Sequence, residues 1–470
     1  MKILLMQPLI KFINEPPRSP DLGLAYIASS LKKKFPNIWV LDWNQYMDER
    51  KFETSLIEFH PDVAGIKIFT KDVYAAKKTI MIIKRVLPSA IIVLGGPHPS
   101  CTDKDELMSD FSACDFAIKG EAEYSFLSLI SEIDESLKKG KKEIILDHEK
   151  AGQIPGLVWR EKGNVLSNPV NLIQDIDTID FPDWDMFNPG NYSSTMLGAT
   201  QNKEISAPII TTRGCPGKCS FCSAFNINGR TIRSRSPKNV FSEIRLLYEK
   251  YHVKQFMFQD NCFTSIKKNL IELCTLILEN GIQIEWDCVS FERLNNLTDE
   301  TLSLMYRAGC RMIHLGVETG SHKTREVINK SGSLEEITEK VQQIKKNHIK
   351  VCTWFMIGFP GETKTDMKET VRYAFSLHPD MITFTICFPL PGTDVYKYIK
   401  GKYNIAKMDW SSFDIHSSEY PVSAVSSSQL YRFLKTVRIK LRLRDMYYRY
   451  LLKIAPKARK QHPIDMLPLT

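Results

Sequence analysis

Residues 209–222 read Ile209-Ile210-Thr211-Thr212-Arg213-Gly214-Cys215-Pro216-Gly217-Lys218-Cys219-Ser220-Phe221-Cys222. The β-branched run Ile209–Thr212 reads as a strand, and it ends in a loop whose cysteines are spaced C-x3-C-x2-C. Three thiolates this close, at the carboxyl end of a strand, suit three irons of one cubane cluster and leave a fourth iron for an exchangeable ligand. Gly214 and Gly217 let the loop wrap tightly, and Lys218 favours the thiolate form. Zinc is the competing reading. It wants four ligands, usually in paired C-x2-C groups. No second pair exists in this chain, and Cys262 and Cys288 are loose candidates.

Downstream, strand-like runs recur at Gln255–Phe258, Ile282–Val289, Met312–Val317, Val351–Ile357 and Ile382–Phe388. Helical patterns fall between them at Pro237–Tyr251, Lys267–Asn280, Asp299–Ala308, Leu334–Asn347 and Thr365–Leu377. Six strand–helix units in succession predict an incomplete parallel barrel. Polar or glycine-rich segments close several strands on one rim: Gln259-Asp260-Asn261, Gly316-Val317-Glu318-Thr319-Gly320, Gly358-Phe359-Pro360-Gly361-Glu362 and Pro389-Leu390-Pro391-Gly392.

The cysteine loop and its place after a first barrel strand resemble the radical S-adenosylmethionine superfamily. The resemblance implies that Cys215, Cys219 and Cys222 hold a [4Fe–4S] cluster whose free iron binds S-adenosylmethionine, which one electron cleaves to a 5′-deoxyadenosyl radical. It implies an electron donor such as flavodoxin or ferredoxin. It places Phe221 against the adenine, and Gln259 and Asp260 where relatives carry two acids facing the amino group of S-adenosylmethionine. Arg293 is a carboxylate partner, because a guanidinium forks onto carboxylates; a surface arginine is its alternative. Gly316 and Glu318 are placed at the ribose, with a helix cap as the alternative for Glu318. Gly358 brings backbone to the adenine, or serves its own turn.

Upstream, residues 1–145 alternate strand-like runs (Ile3–Met6, Ile38–Asp42, Val63–Ile68, Ile91–Gly95, Phe116–Lys119) with helical stretches (Leu22–Lys34, Phe52–Phe59, Tyr74–Leu87, Glu123–Leu137). This pattern predicts an α/β, doubly wound parallel sheet that binds its ligand at the strands' carboxyl ends. Three segments fall on that edge: the Pro-rich Asn14-Glu15-Pro16-Pro17-Arg18-Ser19-Pro20-Asp21-Leu22-Gly23-Leu24-Ala25-Tyr26, then Gly95-Gly96-Pro97-His98-Pro99, and Gly120-Glu121-Ala122-Glu123. Two adjacent glycines let a large ligand approach the backbone. The combination resembles the Rossmann or flavodoxin-like cobalamin-binding domain fused to radical S-adenosylmethionine enzymes. It implies cobalamin contacts at Leu22, Gly23, Tyr26, Asp42, Gly95, Gly96, Glu121 and Glu123. The Asp-x-His-x-x-Gly signature of a histidine below the cobalt is missing, and the loop after the first strand has no histidine. The lower face is then water, empty or covered by a side chain near Arg18–Leu22, with His98 an unfavoured candidate. Within that family the departure is linked to methyl transfer.

The expected organisation is a cobalamin-binding domain over 1–145, a linker over 146–202, a partial (β/α)6 barrel over 203–400 and a helical basic segment over 401–470. In the linker, Ile154–Arg160 and Val165–Val170 read as a hairpin, followed by the Pro-broken acidic run Asp180–Asp185. The 470 residues, 43% hydrophobic and 25% charged, exclude a disordered, collagen-like or membrane-embedded chain. No apolar run approaches the ~18 residues of a spanning helix. The opening Met1–Pro8 reads as a first buried strand rather than a signal peptide. Eleven cysteines in so long a chain are no disulfide scaffold, and their crowding points to a reducing cytosol.

Net charge is +9, yet the last 41 residues hold 11 Lys+Arg against 2 Asp+Glu, so the remainder is neutral. The body gives no reason to expect nucleic acid. In the tail, Leu430, Phe433, Leu434, Val437, Leu441, Tyr448, Leu451 and Leu452 recur at helical spacing, and Lys435, Arg438, Arg442, Arg449 and Lys453 follow another face. This is a helix packed on the barrel with a solvated basic side, or one that meets an anionic membrane or a lipidic substrate. The reading as a whole is a cytoplasmic, cobalamin-dependent radical enzyme that methylates an unactivated carbon or phosphorus. Its rivals are a cyclase of the anaerobic magnesium-protoporphyrin type and a cobalamin-binding module with a vestigial barrel.

Overall fold

Five short apolar runs build the front of the molecule: β1 (Ile3–Met6), β2 (Ile38–Leu41), β3 (Val63–Lys67), β4 (Ile91–Gly95) and β5 (Phe116–Ile118). They pair in parallel in the order β2-β1-β3-β4-β5, the flavodoxin-like order. β1 and β5 are buried throughout and β3 and β4 nearly so, which is why they read as continuous hydrophobic runs rather than as alternation. The computed structural model describes residues 1–9, 19–42, 48–139, 146–192, 204–290, 294–403 and 420–454. The chain divides into two compact units: Met1–Pro216 with Ser223–Asn261 and Leu276–Glu285, and Gly217–Cys222 with Cys262–Thr275 and Trp286–Thr470.

In the first unit, helix Leu22–Lys32 begins at Asp21, whose carboxylate accepts from the Leu24 N–H. It packs beside helix Glu123–Lys138. Leu24, Ala28, Ile130 and Ile133 meet Ile3, Leu5 and Val93 in one core. The hairpin read as part of a linker is β6 (Leu157–Glu161) and β7 (Asn164–Ser167). It is hydrogen-bonded antiparallel onto β5 and so extends the front sheet to seven strands.

One strand is displaced from its expected place. The run expected at Ile209–Thr212 is β8 (Ser206–Ile209), paired in parallel with β11 (Gln255–Phe258). The next residues turn aside into β9 (Thr212–Arg213), antiparallel to β10 (Arg233–Ser234). The cause is Asp260. Its carboxylate takes the backbone N–H and the hydroxyl of both Thr211 and Thr212, which withdraws them from the parallel ladder. Pro208 is tolerated within β8 because that strand lies at the end of its sheet, with a neighbour on one side.

The second unit holds β12 (Glu285–Ser290) from Trp286 onward, β13 (Cys310–Glu318), β14 (Lys350–Ile357) and β15 (Met381–Ile386), parallel in that spatial order. With β8 and β11 they account for the six strands read from sequence. The helices Asp299–Arg307, Leu334–Lys346 and Lys364–Ser376 open with capping boxes at Thr298, Ser333 and Thr363. A final helix covers Ser427–Ile454. Among the described residues, no helix is long and apolar enough to cross a membrane.

Candidate functional site

At the carboxyl edge of the front sheet lies a cavity of about 490 Å³. Leu22, Gly23, Tyr26, Asp42, Gly95, Gly96, Glu121 and Glu123 all line it, so the three loops singled out in the sequence converge on one space. The two glycines do different work. A Cβ on Gly95 would meet no atom within 4 Å and would stand in the cavity. Gly96 has φ +93°, and a Cβ there would come within 2.8 Å of Lys67 Cγ and 3.1 Å of Ile68 N. Gly95 keeps room for a ligand, and Gly96 permits the turn.

The polar residues of this wall already have partners. Arg233 forks onto Glu121 with both contacts at 2.7 Å, and Arg213 reaches Glu123 at 2.6 Å and Glu121 at 3.5 Å. All four side chains are buried. Burial opposes ionisation of Glu123, but the Arg213 guanidinium holds its carboxyl below the usual range. One oxygen of Glu123, Oε2, is buried with no hydrogen-bond partner among the described residues. Asp42 accepts from the Tyr192 hydroxyl. Asp21 accepts from Gln7 Nε2 at 2.8 Å and pairs with Lys67 Nζ at 2.7 Å. Lys67, Gln7 and Arg213 line the cavity without having been singled out in the sequence as ligand contacts. Lys67 ends β3 on the carboxyl edge, and that position was the available signal.

His98 does not line this cavity. It is fully buried against Phe111, with Nδ1 3.3 Å from Thr70 Oγ1 and Nε2 3.5 Å from Thr102 Oγ1. Burial, with Lys77 nearby, pushes its pKa down to about 3. Arg18 lies outside the described residues.

Cys215 follows β9, and its N–H donates to the Gly229 carbonyl at 3.1 Å. Gly214 before it has φ +95°, and a Cβ there would collide with the Thr231 carbonyl at 2.1 Å. In the second unit, the Cys222 N–H donates to the Cys219 carbonyl, while Ser220 N–H donates to Ile328 O and Ser220 O accepts from Asp394 N–H. All three cysteines are unoxidised and half-buried. By contrast, burial pushes the Cys114 and Cys274 thiols up to about 12. Among the described residues, no group of three or more His, Cys, Asp or Glu side chains is gathered around a common metal position. What fits a cluster is the donor set: three half-exposed thiols within eight residues, none in a disulfide.

The residues assigned to S-adenosylmethionine fall into different settings. Gln259 lines the front cavity. Asp260 is fully buried. Oδ1 takes the four donors of Thr211 and Thr212, Oδ2 has no partner among the described residues, and burial raises its pKa despite those donors. Phe221 packs on Phe359 with ring centroids 5.4 Å apart, so the aromatic of the cysteine loop meets the Gly358–Glu362 turn. Glu362 accepts from the Gly358 and Phe359 N–H groups and thereby closes that turn. Glu318, at the end of β13 after Gly316, is buried at φ 70° with Lys330 Nζ at 3.7 Å. Such a backbone is costly for a glutamate, and strain of this kind collects at ligand sites. Arg293 lies outside the described residues. An unforeseen buried pair sits lower on the strands. His314 Nε2 is 3.2 Å from Asp287 Oδ2, and Trp354 Nε1 donates to His314 Nδ1 at 3.3 Å.

The Radical SAM superfamily model matches residues 209–374, and the B12 binding domain model matches residues 14–130. The chain is 29% identical over 427 residues to an uncharacterized methyltransferase of Pyrococcus horikoshii, covering 90% of this chain and 88% of that one. It is 27% identical over 417 residues to the anaerobic magnesium-protoporphyrin IX monomethyl ester cyclase of Cereibacter sphaeroides, covering 87% of this chain and 65% of that one. The fold matches the cobalamin-dependent S-adenosylmethionine radical enzyme OxsB with aqua-cobalamin bound, at a TM-score of 0.65 and 18% identity, covering 94% of this chain and 61% of that one.

Proposed function

From the premise that the chain belongs to the radical S-adenosylmethionine superfamily and carries a B12-binding domain, we propose that it methylates an unactivated carbon or phosphorus of a small or lipid-like molecule. Its cofactors are a [4Fe–4S] cluster, S-adenosylmethionine and cobalamin. When bound, the cluster and S-adenosylmethionine supply a 5′-deoxyadenosyl radical, and cobalamin supplies a transferable methyl group.

The observation that carries the reading is the make-up of the front cavity. Thr212 and Arg213 line it together with the front-sheet loops, and Cys215 follows Arg213 by two residues. Cobalamin held there is covalently close to the loop that carries the cluster. Gly95, where a Cβ would meet nothing within 4 Å, leaves room for a corrin ring, and Leu22 and Gly23 line the same cavity. The orphaned Glu123 Oε2 accepts from a donor such as a corrin amide. Cys215, Cys219 and Cys222 hold the cluster, and Phe221 and Gly358 flank the adenine. Asp260 Oδ2 and Glu318 accept from the amino and ribose groups. The ion pairs of Glu121 and Glu123 with Arg233 and Arg213 fix the wall against which the corrin lies. A low-potential donor such as flavodoxin or ferredoxin supplies the electron. The protein works in the cytoplasm, with its basic C-terminal helix touching the anionic inner face of the membrane.

Anaerobic incubation with methyl-labelled S-adenosylmethionine and cell extract, followed by mass spectrometry, tests the reading. A product heavier by one CH2 per turnover and carrying label supports it. An unlabelled product that has lost hydrogen or gained oxygen overturns methyl transfer in favour of the cyclase-type reaction of the Cereibacter relative.

A further inference from the structure

The helix Ser427–Ile454 packs one face on its own unit and leaves another exposed, with no packing partner among the described residues. Leu430, Leu434 and Val437 are buried where it packs along β15, and Arg444 Nη2 donates to the Asp380 carbonyl at 2.9 Å. At ~100° per residue, Ile439 lies about half a turn round from Leu430. Leu443 and Met446 follow it at i+4 and i+7, so the three form one ridge directed away from the packed face. They are 50%, 49% and 66% exposed. Tyr431 and Tyr447 lie exposed at the ridge's two sides, so this helix carries five of the sixteen large exposed apolar side chains among the described residues.

A helix face that meets water is polar, and large exposed apolar ridges mark contact surfaces. The charge around the ridge identifies its occupant. Arg432 and Lys435 continue the same face toward the helix N-terminus, one to two turns before Ile439, Arg442 stands at the ridge's side, and all three are exposed. The helix contains eight basic residues against the single acid Asp445, and the whole positive surplus of the chain falls in its last 41 residues. An apolar ridge bordered by cations and tyrosines matches the boundary between the headgroups and acyl chains of an anionic bilayer. We propose that Ile439, Leu443 and Met446 insert into the surface of an anionic lipid bilayer, while Arg432, Lys435 and Arg442 lie at the level of its phosphates. This rests on the membrane contact proposed above and adds the element that inserts, so binding is apolar as well as electrostatic.

The test is co-sedimentation of full-length protein with vesicles of equal parts phosphatidylglycerol and phosphatidylcholine across a salt series. Wild type should bind at low salt, retain part of that binding at high salt, and ignore pure phosphatidylcholine vesicles. Ile439→Ser/Leu443→Ser/Met446→Ser should weaken partition at least about tenfold at every salt concentration. Arg432→Gln/Lys435→Gln/Arg442→Gln should bind with a flatter salt dependence. Both variants should still cleave S-adenosylmethionine, because the altered side chains are exposed. Loss of cleavage in wild type would instead strike at the radical chemistry. Wild type that ignores anionic vesicles overturns the proposal. Ridge variants that bind like wild type overturn insertion and leave electrostatic contact alone. A wild-type dimer that the ridge variant converts to monomer assigns the ridge to a second copy of the chain and likewise overturns it.

Discussion

At the carboxyl edge of the front sheet, eight residues from four separate segments line a single cavity. Along the strand ends that follow the cysteine loop, residues of equal chemical promise are divided among tasks. Asp260 braces Thr211 and Thr212, Glu362 closes a turn, and Glu318 sits in a strained backbone beside Lys330. The difference is one of warrant. In a doubly wound sheet the topology dictates where loops meet, so a glycine pair after one strand and a short helix entry after another share a space whatever their side chains do. A lone carboxylate at a strand end serves equally well as a cap, a brace or a ligand contact, and its residue type does not distinguish them.

The largest effect tests the residue pattern that needs no such choice. Cys215→Ala, Cys219→Ala and Cys222→Ala should each abolish 5′-deoxyadenosine formation after anaerobic reconstitution, while Cys274→Ala and Cys310→Ala, changed at buried thiols, should retain it. Full activity in any triad variant would remove the cluster from this loop. Next comes the glycine pair, which separates ligand space from backbone need. Gly95→Leu should fold normally, keep reductive cleavage of S-adenosylmethionine, and lose retention of cobalamin by at least about tenfold. Gly96→Ala should instead cost about 1–3 kcal/mol in stability, because alanine at φ +93° is strained and crowds Lys67 and Ile68. If Gly95→Leu binds cobalamin as wild type does, the cavity is not its site.

Much of the fold was legible because the strands carry strong local signals. β1, β4 and β11 have the bounds their apolar runs suggested, and the helices differ from expectation by a few terminal residues. The displaced strand shows where local reading stops. Ile209–Thr212 is as β-prone as any run in the chain, and it is Asp260, 48 residues beyond Thr212, that draws Thr211 and Thr212 out of the ladder. No local pattern encodes that contact. The same holds for Arg213 and Arg233. They stand directly opposite on β9 and β10, a repulsive pair in isolation, and the arrangement is explained by Glu121 and Glu123, more than 80 residues earlier in the chain. The tail read as amphipathic from its sequence. The apolar ridge opposite its packed face was missed because Ile439, Leu443 and Met446 were not among the spaced apolar positions.

A smaller effect probes the ambiguous carboxylate. Asp260→Asn keeps an acceptor for Thr211 and Thr212 and replaces the orphaned oxygen with an amide nitrogen. If Oδ2 meets the amino group of S-adenosylmethionine, affinity measured by calorimetry should fall about tenfold, within the range of one hydrogen bond to a charged group. Unchanged affinity with an unchanged melting temperature would make Asp260 a brace alone, and would widen the contrast between the two sets of strand ends.

The smallest effect concerns His98, a histidine on the ligand edge that does not face the cavity. Its pKa of about 3 lies below the ordinary 6.5, so the native state holds the ring neutral while the unfolded chain takes up a proton below pH 6.5. The native state therefore loses stability as pH falls from 6.5 toward 3, and above 6.5 the group contributes no pH dependence. At ~1.4 kcal/mol per pH unit, the loss between pH 7 and pH 5 is about 2 kcal/mol. Asp72 works in the opposite direction over part of the same range, because burial pushes its carboxyl up to about 6 and the native state gains a proton there. Comparison of one variant with wild type cancels that contribution. His98→Gln should be less stable at pH 7 through lost packing on Phe111, yet its denaturation midpoint should fall less than that of wild type between pH 7 and pH 5. Parallel pH profiles would mean that the ring reaches water, contrary to its full burial. The cobalt(II) resonance spectrum of the cobalamin-loaded protein should be the same in both, and a nitrogen splitting that disappears in His98→Gln would bring this histidine back to the cavity as a ligand.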